Sequence, residues 1–263
     1  MRDLIQSLQP KERRGSKPRC HILTHGTTEE VARRLTALIA PFGHVSASDR
    51  WMPQGFVQRR EAQLHKAPRL LNSDIGARLS AWWLPVGGED LRTPNFDIAS
   101  TCTIGGKPGL LLVEAKAHDE ELRKESIGRP LKENASEGRK ASHKTIAVAI
   151  ESARKGLEMA TVRPWRIGRD THYQMSNRFA WAWKLTDLGI PVVLVYLGFL
   201  NAEEMADQGK PFAHHAEWER LVIAHSEPLF PAAVWEELWM CNGQSFIPLI
   251  RSREQPLEQK VEP

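Results

Sequence analysis

The 263-residue sequence has no apolar run approaching the roughly 20 residues that a membrane-crossing helix requires. Nor does its start, MRDLIQSLQPKERR, carry the apolar stretch of a signal peptide, so the chain reads as a cytoplasmic protein without membrane contact. Cysteine is scarce. Cys20, Cys102 and Cys241 are widely separated, odd in number and outside any CxxC pair, which argues against a disulfide framework and for a reducing compartment. Cys20, His21 and His25 lie close together, yet no second ligand pair at zinc-site spacing follows. An internal repeat is missing, and so is a recognisable helicase or helix-turn-helix sequence. A large charge excess is absent too: 36 Lys and Arg against 32 Asp and Glu leave a formal charge of +4. That modest basic balance is compatible with a polyanionic partner.

What the sequence does have is length for one large domain and a composition, 41% hydrophobic and 26% charged, that can bury a substantial core. The stretch around which that core is expected to form is PNFDIASTCTIGGKPGLLLVEAKAH, from Pro94 to His118. It reads as two strands joined by a tight turn at Ile104-Gly105-Gly106-Lys107. The apolar run Leu110 to Val113 predicts a strand buried on most of its surface. Alternate residues of a strand share a face, so Glu114 and Lys116 project one way, about 7 Å apart, and Val113 and Ala115 the other. Antiparallel pairing about the turn brings Asp97 back beside Glu114 to Lys116. Two carboxylates and an ammonium at the end of a buried strand are costly to desolvate unless they meet a cation, an anion or each other. Hard oxygens suit Mg²⁺ or Mn²⁺, which bind through one or two carboxylates and substrate phosphate oxygens. The plainer alternative is an ion pair of Lys116 with Glu114 or Asp97 on a solvated face, worth about 0–1 kcal/mol.

Asp97 followed, after strand, turn and strand, by Glu114-Ala115-Lys116 resembles the PD-(D/E)xK nuclease superfamily, although Pro94 stands three residues before Asp97. The resemblance implies an α/β fold with a restriction-endonuclease-like mixed central β-sheet flanked by helices. It implies a metal-dependent nuclease that hydrolyses nucleic-acid phosphodiester bonds, with DNA ahead of RNA as substrate, acting in defence, restriction or repair. Asp97 and Glu114 would then be metal ligands, the Ala115 backbone carbonyl a further ligand, Lys116 the catalytic lysine, and Mg²⁺ or Mn²⁺ the cofactor. In such a fold a helix precedes the sheet and an acid on it supports the metal; Glu61 is the candidate, with Asp74 behind it. Gln174, on a helix after the Glu-x-Lys strand, is similar to the additional catalytic-site glutamine of RecB-like nucleases, with Arg178 where a tyrosine is the rule. The alternative is a relative that keeps the fold without cleavage, as a nucleic-acid-binding or scaffolding subunit. With no targeting sequence of its own, the chain would take target selection from a homodimer or a partner protein.

Around this motif the sequence suggests one domain over residues 20–253, helically elaborated on its N-terminal side, between a flexible basic arm over residues 1–19 and a disordered tail over residues 254–263. The arm carries Lys11, Arg13, Arg14, Lys17 and Arg19 among Pro, Gly and Ser. A short strand is expected at His21 to Thr24; then Thr27 and Glu30, at capping-box spacing, open a helix. A mostly helical stretch follows from Val57 to Trp83, interrupted near Pro68, and Pro85 to Arg92 forms a loop. Ile146, Ala149, Ile150, Ala153 and Leu157 mark an amphipathic helix. Gln174, Arg178 and Trp181 share a face of the next, which ends at Gly189. Ile190 to Leu197 reads as the central strand. Leu221 to Ala224 is expected as a strand, Pro231 to Trp239 as a helix and Ser245 to Ile250 as an edge strand. Between Glu121 and Asp170 stand twelve Lys or Arg against seven Asp or Glu. Lys124, Lys140 and Lys144 from that segment, with Arg178 beyond it, are the expected phosphate contacts.

Overall fold

The turn at Gly105 and Gly106 decides the architecture. Both residues have positive φ, 54° and 78°, the left-handed backbone that a two-residue hairpin turn needs and that glycine adopts without a steric penalty. The computed structural model describes residues 2–85 and 93–257. Its strands are β1 (Gly43–His44), β2 (Trp51–Met52), β3 (Ile98–Ile104), β4 (Lys107–Lys116), β5 (Val192–Leu200), β6 (Trp239–Cys241) and β7 (Gln244–Glu254). They form one mixed sheet in the order β1-β3-β4-β5-β7-β6, with β2 also paired to β3. The turn sets β3 and β4 antiparallel, from Ile104 opposite Lys107 to Ile98 opposite Val113. β4, β5 and β7 run parallel, and β6 returns antiparallel on β7. β5, rich in Val and Leu, occupies the centre and is buried on both faces, as its near-continuous apolar run predicts.

The helices are α1 (Arg2–Gln6), α2 (Ser16–Leu23), α3 (Thr28–Ile39), α4 (Ser73–Trp83), α5 (Asp119–Glu125), α6 (Glu137–Thr161), α7 (Tyr173–Asp187) and α8 (His215–Ser226). The pleat separates the two cores. Leu111, Val113 and Ala115 of β4 join Val193, Val195 and Leu197 of β5 under α2 and α3. Leu110 and Leu112 join Leu194 and Tyr196 under α4, α6, α7 and α8. The capping box of Thr27 and Glu30 forms at the start of α3, and the expected stripe of α6 is buried. The fold is therefore a mixed α/β sheet flanked by helices, and even-numbered residues of β4 face α7.

Several local expectations are corrected. Residues 16–23, assigned to an arm and a short strand, form α2. The basic arm is docked: Arg19 pairs with Glu204 and Arg14 with Asp207, while Ile5 and Leu8 pack on Ile22 and Phe56. Acids far downstream neutralise the arm, which local composition does not reveal. Between Val57 and Trp83 only α4 and a 3-10 turn at Leu64–Lys66 are helical. Leu221 to Ala224 lies within α8; so short an apolar run fits either period, and burial of Trp218 and Val222 on one helical face decides it. Pro231 to Trp239 yields a 3-10 turn at Ala232–Val234 and then the start of β6, and Ser245 to Ile250 belongs to β7, which β6 covers. Residues 86–92 of the expected loop and residues 258–263 of the expected tail lie outside the described residues; Glu254 ends β7 and Leu257 packs on the Ile5 cluster. No described helix is long and apolar enough to cross a membrane.

Candidate active site

The paired register ends with Ile98 opposite Val113, and Asp97, in the bend just before β3, reaches the end of β4 with its side chain. Asp97 Oδ2 accepts the Ala115 backbone N–H at 2.7 Å. Glu114 and Lys116 face α7, 2% and 5% exposed, so the alternative of a solvated ion pair does not apply. Glu61 arrives by a different route from the one expected. It lies in an extended segment, not a helix, and an isolated antiparallel bridge between Ala62 and Phe96 sets it across from Asp97. Its Oε2 accepts from Asn95 Nδ2 at 3.0 Å, and Lys17 Nζ stands 3.8 Å from Oε1. Asp74 is exposed in the first turn of α4.

Glu114 is the hub. Its Oε1 accepts from Lys116 Nζ at 2.5 Å and from Gln174 Nε2, and its Oε2 accepts from Arg178 Nε at 2.5 Å. Gln174 and Arg178, one turn apart on α7, thus grip one carboxylate from the same helix face. Arg178 Nη1 donates to Asn177 Oδ1 at 2.6 Å, and the guanidinium carbon lies 5.0 Å from the centre of the Phe96 ring. Arg178, expected on phosphate, is buried, and its Nε and Nη1 serve Glu114 and Asn177. Lys124 on α5 and Lys140 and Lys144 on α6 are exposed, and Lys140 pairs with Glu137 at 2.7 Å.

Two acids of the site were missed in the sequence. Glu121 Oε2 accepts the Ala117 backbone N–H, and Ser16 Oγ donates to its Oε1 at 3.4 Å. Glu125 is fully buried, with Oε1 2.8 Å from Lys116 Nζ and Oε2 3.4 Å from His225 Nε2. The only sequence signal for either is proximity to the Glu-x-Lys strand, which Asp119 and Glu120 share.

Burial, then the charge of Glu114, pushes the Asp97 carboxyl well above the usual carboxylate range, against the opposing pull of Lys116 and the Ala115 amide. Burial alone would depress Lys116, but Glu114, Glu125 and Asp97 outweigh it and hold the amine protonated well past the usual lysine range. Arg178 is likewise held as a cation: Glu114 overcomes its desolvation. Two carboxylates forced together at a buried edge are what a hard divalent cation relieves, and the raised affinity of Asp97 for a proton marks that place. The carboxylates of Asp97 and Glu114 and the Ala115 carbonyl are hard oxygens, the donor type that Mg²⁺ or Mn²⁺ takes, but Lys116, Gln174 and Arg178 engage both oxygens of Glu114. Among the described residues no group of three or more His, Cys, Asp or Glu side chains is arranged to hold a metal ion. A cation here would rest on two carboxylates and a carbonyl, with water or phosphate completing its shell.

Comparison of the chain with protein-family models, curated proteins and solved structures found no match.

Proposed function

We propose that this protein is a divalent-metal-dependent nuclease of restriction-endonuclease-like architecture that hydrolyses phosphodiester bonds, with DNA the preferred substrate. The observation that carries the reading is the convergence of Asp97, Glu114 and Lys116 at one end of a buried hairpin, with the Asp97 carboxylate on the Ala115 amide. A Mg²⁺ or Mn²⁺ ion held by Asp97, Glu114 and the Ala115 carbonyl would polarise the scissile phosphate and acidify a bound water. Lys116 places a permanent positive charge at that edge, where it offsets negative charge gathering on the phosphoryl oxygens. Lys116 donates a hydrogen bond to Glu114 and forms an ion pair with Glu125 at 2.8 Å, which leaves donor capacity for phosphate or water. Gln174 and Arg178 hold Glu114 in one orientation from behind. Exposed Lys124, Lys140 and Lys144 add an attraction for the nucleic-acid backbone that weakens with salt.

The test is cleavage of DNA and of RNA by the purified chain with Mg²⁺ or Mn²⁺, lost in Asp97→Ala, Glu114→Ala and Lys116→Ala. Cleavage undiminished in all three variants would end the assignment. One observation favours the second reading, a non-cleaving relative: both oxygens of Glu114 are already taken by Lys116, Gln174 and Arg178. That reading requires binding without turnover in either ion.

A further inference from the structure

Glu125 ends α5, where the helix carbonyls disfavour an anion, and its carboxylate is fully buried. Removing a carboxylate from water costs several kcal/mol, and neither of its oxygens has a hydrogen-bond partner among the described residues. Its nearest polar neighbours are two basic side chains. Lys116 Nζ lies 2.8 Å from Oε1 and His225 Nε2 3.4 Å from Oε2. The His225 ring in turn packs against His172, with centroids 4.7 Å apart. His172 precedes α7 in a left-handed conformation at φ 46°. The groups around Glu125 are therefore Lys116 from β4, His225 from α8, His172 ahead of α7, and Tyr196 of β5, whose proton Glu125 helps to hold. A residue needed only to fill this corner would be apolar.

We infer that Glu125 is a positioning residue for Lys116, and that His225 holds Glu125 in turn, so that α8 is tied to the cleavage site. This rests on the nuclease reading of Lys116. The ammonium sits between two carboxylates, Glu114 at 2.5 Å and Glu125 at 2.8 Å, from two different elements. Glu125 thereby takes a share of the charge that Glu114 and Asp97 would otherwise neutralise, and it keeps Nζ, already hydrogen-bonded to Glu114, from swinging toward Asp97. Without it, Lys116 keeps its charge but loses its place, and a misplaced charge stabilises a transition state poorly.

The experiment uses the full chain with Glu125→Gln, which retains size and removes charge, and Glu125→Asp, which retains charge and shortens reach. With DNA and saturating Mg²⁺, Glu125→Gln is expected to lower kcat about 10- to 100-fold with KM unchanged, and Glu125→Asp to recover part of the loss. A crystal structure of Glu125→Gln should show Lys116 Nζ displaced away from residue 125 toward Asp97. If Glu125→Gln does not fold, His225→Gln, which loosens Glu125 without touching Lys116, should show a smaller loss of kcat in the same direction. A kcat within about twofold of the parent in the folded variants overturns the inference, wherever thermal stability moves. If the parent cleaves nothing with either ion, the nuclease reading falls. The Nζ position then decides the positioning claim alone: displacement supports it, and an unmoved Nζ overturns it.

Discussion

The two halves of β4 are equally buried and are held in opposite ways. Leu110 to Val113 lie between β3 and β5 with apolar side chains on both faces. Each such side chain contributes about 1.5–3 kcal/mol through the area it removes from water. Glu114 to Lys116 continue the same ladder at the same depth with two charged side chains, each of which costs several kcal/mol to desolvate. The first half is satisfied by any neighbours of the right shape. The second needs specific partners from separate parts of the chain: Asp97 before β3, Glu125 of α5, and Gln174 and Arg178 of α7. Apolar residues could fill the same volume with no loss of stability. That a strand keeps buried ions where leucines would serve is what supports the proposed chemistry at that end.

The sharpest way to break this comparison is Glu114→Ala. Truncation strands Lys116 and Arg178 as buried cations, and stability measured by urea unfolding should fall by about 3–5 kcal/mol. Replacing Glu114 by Leu and Arg178 by Met together should recover much of that loss, because both charges leave at once. In the apolar half, Leu112→Ala should cost about 2–5 kcal/mol by the cavity it leaves, while the cleavage rate per folded molecule stays at the parent value. Across the sheet, His21 offers a buried titratable group whose one opposing charge, Glu12, is outweighed. Its ring nitrogens have no partners, and burial, aided by Lys17 and Arg59, lowers its pKa from 6.5 to about 4. The folded state keeps it neutral, so the unfolded chain binds its proton first as pH falls, and stability should drop by roughly 1–3 kcal/mol between pH 6.5 and 4. His21→Leu should flatten that part of the pH–stability curve. The smallest effect is expected outside the core: Lys144→Ala should weaken DNA binding only slightly and reduce the slope of log affinity against log salt by about 1 if the lysine contacts a phosphate. An unchanged slope would remove it from the interface.

Much of the candidate site was legible because its central part is local. The Gly105-Gly106 turn, the alternation along β4 and the spacing from Asp97 to Glu114 need only short-range geometry, and the hairpin follows them. Gln174 and Arg178 were likewise readable as one helix face. The direction in which that face points was not, because a helix pattern says which residues share a side without saying what lies opposite. The expected partner of Arg178 is phosphate, and the group it meets is Glu114. Glu61 reached the neighbourhood of Asp97 through a single bridge at Ala62, a contact that leaves no periodic trace. Glu125 looks like one acid among many in a mixed-charge stretch, and only the packing of α5 and α8 beside β4 brings it to Lys116 and His225. The sequence leaves the arm flexible or loosely docked for the same reason: Glu204 and Asp207, which hold its arginines, lie nearly two hundred residues away.

The amino-acid order by itself determined the hairpin, the alternation that turns Glu114 and Lys116 to one face, the central strand and the amphipathic helices, since each depends on backbone period and on residues near one another in the chain. Tertiary packing decided which charges meet: Arg178 and Gln174 on Glu114, Glu125 between Lys116 and His225, and the basic arm against Glu204. Electrostatic pairing depends on distance in space and on the exclusion of water, and both are set by how the elements pack.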